Sequence, residues 1–332
     1  MLTILIVVVA LALLFDFING FHDTANAIAT SISTKALSPR FAIIYAAVLN
    51  FLGAIYSSEV AKTVGGKVAN PATIENGIYI VIAALITAIL WNLLTWYYGI
   101  PSSSSHTLIG SLAGAVIAGA GMDALNWSGF REIILILVLS PIVAFATGIV
   151  IMWIIRFFIM STGNQSRSKL NRTFRIFQIF SAGLLSFSHG GNDAQKAMGI
   201  IVFALVAMNQ QDTLDVPLWV KLAAATAMGL GTSIGGWRII KTMSRKLLKI
   251  EPINGFASDL NSSIVIQTST HLGMPLSTTH VISSSIIGTG SVMRFHDVKW
   301  ATVTRMILTW IITIPISMVI AFLIYKIIYA FV

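Results

Sequence analysis

The sequence predicts an all-α polytopic membrane protein: two inverted repeats with broken helices and paired hairpins. Three observations carry this. Apolar segments recur along the whole chain, basic residues are confined to the short loops between them, and two motif blocks occur once in each half. Of the 332 residues 56% are apolar and 10% charged, whereas soluble domains carry about 25% charged residues. An ordinary water-soluble enzyme is therefore excluded. A formal charge of +9 would suggest nucleic acid in a soluble chain, but bases placed between apolar runs set membrane orientation instead. Nucleic acid is not an expected partner; the lipid bilayer is. With no cysteine present, disulfides, thiolate catalysis and Cys-ligated metal are excluded as well.

Crossing about 30 Å of hydrocarbon takes about 20 residues. Segments of that order fall at 2–34, 40–58, 73–98, 102–120 and 131–158, and again at 173–208, 217–240, 253–272, 276–293 and 300–329. The chain then divides into a first transmembrane repeat (1–160), a basic connector (161–175) and a second transmembrane repeat (176–332). The opening run Leu2 to Leu14 has no basic residue ahead of it and flows into a polar stretch. It reads as the first span, not as a cleaved signal.

Loop charges orient the spans. Arg156, Arg167, Lys169, Arg172 and Arg175 flank the connector, and Arg238, Lys241, Arg245, Lys246 and Lys249 follow the seventh segment. Both clusters read as cytoplasmic. The loop between them carries Asp212 and Asp215, with Lys221 only at its far end, and reads as external. The pair 253–272 and 276–293 starts beside one basic cluster and ends beside Arg294 and Lys299, so it leaves and returns on the cytoplasmic side. Its equivalent in the first half starts and ends outside. Each half thus has an odd number of crossings, the halves lie in opposite orientation, and both termini come out external.

Self-comparison supports duplication. Gly99-Ile-Pro-Ser-Ser-Ser-Ser-His106 aligns with Gly273-Met-Pro-Leu-Ser-Thr-Thr-His280 at an offset of 174. Asn19-Gly-Phe-His-Asp-Thr-Ala-Asn-Ala27 aligns with His189-Gly-Gly-Asn-Asp-Ala-Gln-Lys-Ala197 at an offset of 170. The order of the two motifs is the same in both halves. Duplicated halves of opposite orientation are a transporter architecture, with substrate and ions bound between the repeats near the midplane.

Asp23 and Asp193 each fall inside an apolar segment beside glycines able to interrupt a helix and free backbone carbonyls. A centred Asp costs about 2.5 to 3.5 kcal/mol on insertion, so something must offset it. A lone Asp there could cap a half-helix or bond a neighbouring Ser or Asn; a matching pair in a duplicated transporter points to coupling cations. Asn26 and Asn192 offer amide oxygens fit for a hard cation, although Asn also caps helices. The intramembrane acids Asp16, Asp23, Asp193 and Asp259 face one base, Lys196, leaving three negatives uncompensated if all ionise. An anion would enter such a site only with cations or protons, which is co-transport. Asp16 and Asp259 have no counterparts in the other half and read as structural. Lys196 can pair with Asp193 one turn away or help capture an anion.

Pro101 and Pro275, each followed by hydroxyl residues, mark helix N-termini. Such an end presents free N–H groups and about half a positive charge, a ready anion site, or its hydroxyls merely cap the helix. Two copies at membrane depth point to an anion held by Ser103, Ser104, Ser105, Ser277, Thr278 and Thr279. Hydroxyl donors serve sulfate and phosphate alike; acceptors beside the anion favour phosphate, which carries a proton to give them. His106 and His280 could relay protons or pack into a helix turn. His22 and His189 neighbour the acidic motif without aligning with each other. A Ser–His hydrolase is disfavoured, because no Gly-x-Ser-Gly block or His-Glu-x-x-His pair occurs and each Ser-to-His block appears twice. No catalytic residues and no cofactor are expected.

At these four blocks, in this order and spanning essentially the whole chain, the sequence resembles the PiT family of inorganic phosphate transporters. The short connector is similar to that of prokaryotic members. The resemblance implies a plasma-membrane phosphate symporter driven by Na+ or H+ as co-substrate, with inverted repeats, re-entrant hairpins tipped by the hydroxyl blocks, external termini and a homodimer. Carried over by position, it places coupling ions at Asp23, Asn26, Asn192 and Asp193, and phosphate at Ser103, Ser104, Ser105, Ser277, Thr278 and Thr279. His22 departs from the family's Asn-Asp pair, which Asn192-Asp193 keeps, so the first cation site differs from the second. The family includes sulfate-carrying branches; sulfate symport and a passive anion channel are the alternatives.

Overall fold

The chain is described as a computed structural model covering residues 2–331 apart from 71, 73, 75–76, 162–165, 236–239 and 241–246, with the backbone alone for Leu2, Thr24 and Arg167. Its helices are α1 (Leu2–Ser33), α2 (Pro39–Tyr56), α3 (Glu59–Lys67), α4 (Gly77–Tyr98), α5 (Ser104–Ala120), α6 (Trp127–Ser161), α7 (Arg167–Ala207), α8 (Leu218–Ile234), α9 (Pro252–His271), α10 (Thr278–Arg294) and α11 (Trp300–Tyr329). Among the described residues there is no strand, only an isolated bridge between Ala69 and Leu125. Five of the described helices, α1, α2, α4, α6 and α11, are long and apolar enough to cross a membrane. The expected spans agree with ten of the helices to within six residues, and 236–239 of the seventh lie outside the described residues. The short α3 was hidden in a loop, because nine residues with a polar face carry no span signal. The expected connector is shorter than its basic run: α7 starts at Arg167, so Lys169, Arg172 and Arg175 ride on its first turns.

Polarity is turned inside out relative to a soluble protein. Leu135, Val138, Ile142, Val150, Trp153 and Phe157 of α6 are exposed, while Asp16, Asn19, His22, Asp23 and Asn26 of α1 are buried. A bilayer accounts for both, since lipid solvates apolar faces and leaves polar groups to satisfy one another inside. The halves interlock: α5 packs on α11 and α10 on α6, while α2 packs on α7 and α8 on α1. Both final helices carry a proline at matching positions, Pro141 and Pro315.

The acidic motifs correct one expectation. α1 and α7 run unbroken through Gly20 and through Gly190-Gly191. These glycines serve helix crossings instead. A Cβ on Gly20 would lie 2.5 Å from Met228 O, and one on Gly231 of α8 would lie 2.0 Å from Phe17 O. Across the α2–α7 contact, a Cβ on Gly190 would lie 2.2 Å from Asn50 O and one on Gly53 would lie 2.0 Å from Phe187 O. Lipid offers no hydrophobic drive between helices, so close backbone approach through small residues is what holds them. The real breaks fall at 99–103 and 272–277, where Gly99 (φ +64°) and Gly273 (φ +65°) take the left-handed conformation that glycine adopts without strain.

Exposed ion pairs gather at the two ends of the bundle. At one end Arg156 donates to Val292 O (3.0 Å) and Arg294 pairs with Glu251 (3.5 Å), with exposed Lys249 close by in sequence. At the other, Lys62 of α3 pairs with Asp215 (3.1 Å) and Lys67 with Glu132 (2.5 Å). The hydrogen bond from Lys62 holds the Asp215 carboxyl below the usual carboxylate range. Arg238, Lys241, Arg245 and Lys246 of the expected basic cluster lie outside the described residues.

Candidate functional site

Chain breaks at 99–103 and 272–277 deliver the N-termini of α5 and α10 to each other inside the bundle. Ser103 and Ser277 are the N-caps: their Oγ atoms accept from His106 N (3.1 Å) and His280 N (3.3 Å). These two hydroxyls thus cap their helices, one of the two roles weighed for them, because each lies where orphan amides need an acceptor. The next hydroxyls turn inward. Ser105 Oγ donates to Leu276 O at 2.7 Å, tying one tip to the other, and the rings of His106 and His280 lie 4.4 Å apart. His280 also stacks on Trp310 at 3.8 Å, the packed arrangement of the two readings for this pair.

Beneath the tips lie the two acids. Ser104 Oγ donates to Asp23 Oδ2 (3.0 Å), and Thr279 Oγ1, from the other half, donates to Asp23 Oδ1 (3.1 Å). Thr278 Oγ1 lies 3.1 Å from Asp193 Oδ2 and 3.2 Å from Oδ1. Ser104 and Thr278 are equivalent in the repeat, so each half sets one hydroxyl on its own aspartate. The Asp23 and Asp193 carboxylates and the His189 ring each present a ligand atom within 4.8 Å of the others, all buried. Lys196 Nζ reaches Asp193 Oδ1 at 2.5 Å, the pairing expected from their spacing, and lies 3.5 Å from Ser104 Oγ.

Amides line the same space. Asn26 Nδ2 donates to Thr279 Oγ1 (2.9 Å) and lies 3.4 Å from Asp23 Oδ1; Asn192 Nδ2 donates to Thr270 Oγ1 (3.0 Å). Among the described residues the Oδ1 atoms of Asn19, Asn26 and Asn192 are buried without a hydrogen-bond partner. Buried acceptors left open beside carboxylates form an oxygen-rich surface that suits a hard cation.

The sequence missed Asn19 and His189 as site residues. Asn19 Nδ2 and His189 Nε2 each lie 3.4 Å from Asp193 Oδ2, and His22 Nδ1 lies 2.8 Å from Asp23 Oδ1. The repeat alignment held the signal: Asn19 is equivalent to His189 and His22 to Asn192, so each half carries one Asn and one His in exchanged places. The two unduplicated acids diverge. Asp259 accepts from Thr30 Oγ1 (2.8 Å) and Gln178 Nε2 (3.4 Å), as a structural carboxylate would. Asp16 is fully buried and neither of its oxygens has a hydrogen-bond partner among the described residues, so the expected structural bonding is not what holds it.

Fold and site together define a multi-pass helical membrane protein with a polar, acid-bearing interior. The profile described as the phosphate transporter family matches residues 19–171 and 161–321. A probable low-affinity inorganic phosphate transporter of Bacillus subtilis (strain 168) is 56% identical over 317 residues, covering 95% of this chain and 94% of that one. One from Rhizobium meliloti (strain 1021), described in the same words, is 40% identical over 324 residues, covering 97% and 96%. The chain belongs to the phosphate transporter family, whose members are transporters and not enzymes. A solved structure titled "The sodium-dependent phosphate transporter" superposes with a TM-score of 0.88, covering 99% of this chain and all of that one; at 22% identity this likeness is one of fold.

Proposed function

We propose that this protein carries inorganic phosphate across the plasma membrane by symport with Na+ or H+. One observation carries the reading: Asp23 and Asp193 converge with His189 within 4.8 Å beneath the hydroxyl-bearing N-termini of α5 and α10. The anion sits at the two helix ends, where N–H groups and Ser104, Ser105, Thr278 and Thr279 supply donors. Cations or protons neutralise the charge that the acidic cluster leaves uncompensated, with Asn26 and Asn192 lending oxygens, so that the load moves nearly neutral through low dielectric. The hydroxyls that bond Asp23 and Asp193 exchange to phosphate when a cation takes over the carboxylate. The interlocked helix pairing supports two inverted repeats with re-entrant hairpins rocking around this point. Loop charges support external termini, and the resemblance supports a homodimer.

Phosphate over sulfate follows from the acceptors: a protonated phosphate oxygen can donate to Asp23 or Asp193, which sulfate at neutral pH does not. Uptake of 32P-phosphate into proteoliposomes, challenged with excess sulfate, tests this. Unlabelled phosphate should compete and sulfate should not; equal competition by sulfate would overturn the assignment.

A further inference from the structure

We propose that the Lys196 ammonium is a built-in cation, holding in the second half the place that an exchangeable coupling cation takes beside Asp23 in the first. The inference rests on the symport reading above. The repeat alignment that pairs Asp23 with Asp193 also pairs Asn26 with Lys196, each one turn after its aspartate. Asn26 leaves its Oδ1 without a hydrogen-bond partner among the described residues and sets its Nδ2 3.4 Å from Asp23. That is an acceptor arrangement for a cation that comes from outside. Lys196 has three donors and no acceptor. Its Nζ lies 2.5 Å from Asp193, and the side chain is 2% exposed.

The charges follow. Asp193 and Lys196 sum to zero without any bound ion, and a pair closed at that distance in the bundle interior is not freely exchanged for solvent ions. Each acid has one histidine beside it, His22 Nδ1 at 2.8 Å from Asp23 and His189 Nε2 at 3.4 Å from Asp193, but Asp23 has no Lys or Arg ion-pair partner among the described residues. The two halves therefore share a duplicated acid but not a duplicated ion site, and the number of cations travelling with each phosphate is one fewer than the repeat symmetry would give. Lys196 Nζ also lies 3.5 Å from Ser104 Oγ, the hydroxyl on Asp23, so the fixed charge sits at the border of the two half-sites.

The test is the coupling ratio at static head: proteoliposomes are preloaded with 32P-phosphate, and the sodium or proton gradient that brings net phosphate flux to zero gives cations per phosphate. Lys196→Asn should raise that ratio by one, Lys196→Arg should leave it as in the wild type, and the reciprocal Asn26→Lys should lower it by one. An unchanged ratio in Lys196→Asn with a raised KM for phosphate would make Lys196 an anion anchor and overturn the proposal. So would a folded Lys196→Asn protein that stays silent under every combination of gradients. If that variant does not fold, Asn26→Lys decides alone, and a wild-type ratio there overturns the proposal. Failure of the symport reading itself is seen separately, as wild-type uptake indifferent to both gradients.

Discussion

Ser104 donates its hydroxyl to Asp23 at 3.0 Å, joining the N-terminus of α5 to the interior of α1. In the proposed symport the bond ties the anion's donor to the cation's acceptor. Neither group is then free until its partner is replaced, which would give the two ions a local reason to bind together. Thr278 and Asp193 repeat the relationship in the second half.

Removing either carboxylate charge should uncouple the site. Asp23→Asn and Asp193→Asn keep the shape and a hydrogen-bonding oxygen, but the first loses the counter-charge of the coupling cation and the second that of Lys196. Each is expected to remain folded and to lower cation-driven uptake on the order of a hundredfold, since bonds to charged groups contribute about 1.5 to 3 kcal/mol. Uptake rates in proteoliposomes with matched protein content check this. Both variants retaining the wild-type ion dependence would remove these acids from the mechanism.

The cradle is tested by its hydroxyls. Ser104→Ala and Thr278→Ala each delete a donor at a helix end that keeps its backbone N–H groups, so affinity should weaken without disappearing. A loss of about tenfold in apparent phosphate affinity is expected for each, corresponding to about 1.4 kcal/mol. An unchanged KM in both would place the anion elsewhere.

Much of this was legible in the sequence, and the gaps have physical causes. Apolar length fixed the long helices, and the Gly-x-Pro-x-Ser blocks fixed the two breaks at 99–103 and 272–277. Gly20 and Gly190 misled, because a glycine that permits a break and one that permits close packing look alike until the neighbouring helix is known. The crossings with Gly231 and Gly53 are set by tertiary contact. Ser103 and Ser277 were indistinguishable from the next two hydroxyls until the register of the first helical turn separated caps from inward-facing donors. That Thr279 of one half would bond Asp23 of the other is a long-range fact which no local pattern carries.

Those crossings give a stability prediction. Gly53→Ala and Gly231→Ala each put a methyl 2.0 Å from a backbone oxygen, which only helix displacement relieves. Gly66→Ala meets the end of the Leu214 side chain instead, which can rotate away. The first two should cost about 1 to 3 kcal/mol, the range for overpacking, and lower the unfolding temperature in detergent; Gly66→Ala should lie close to the wild type. Equal behaviour of all three would mean that the crossings are loose.

Asp16 offers a different contrast. Its carboxyl is buried with no hydrogen-bond partner among the described residues, and a centred Asp costs about 2.5 to 3.5 kcal/mol on insertion. Asp16→Leu is expected to raise the unfolding temperature while lowering cation-driven uptake, the exchange typical of a residue kept for function at the expense of stability. A lower unfolding temperature with full uptake would make the acid structural.

The central claim is that a cation gradient drives phosphate through this site. Labelled phosphate should accumulate in proteoliposomes above its external concentration when an inward sodium or proton gradient is imposed, and should only equilibrate when both gradients are collapsed. Equilibration alone under every gradient, at an unchanged initial rate, would contradict the account and leave a passive anion pathway.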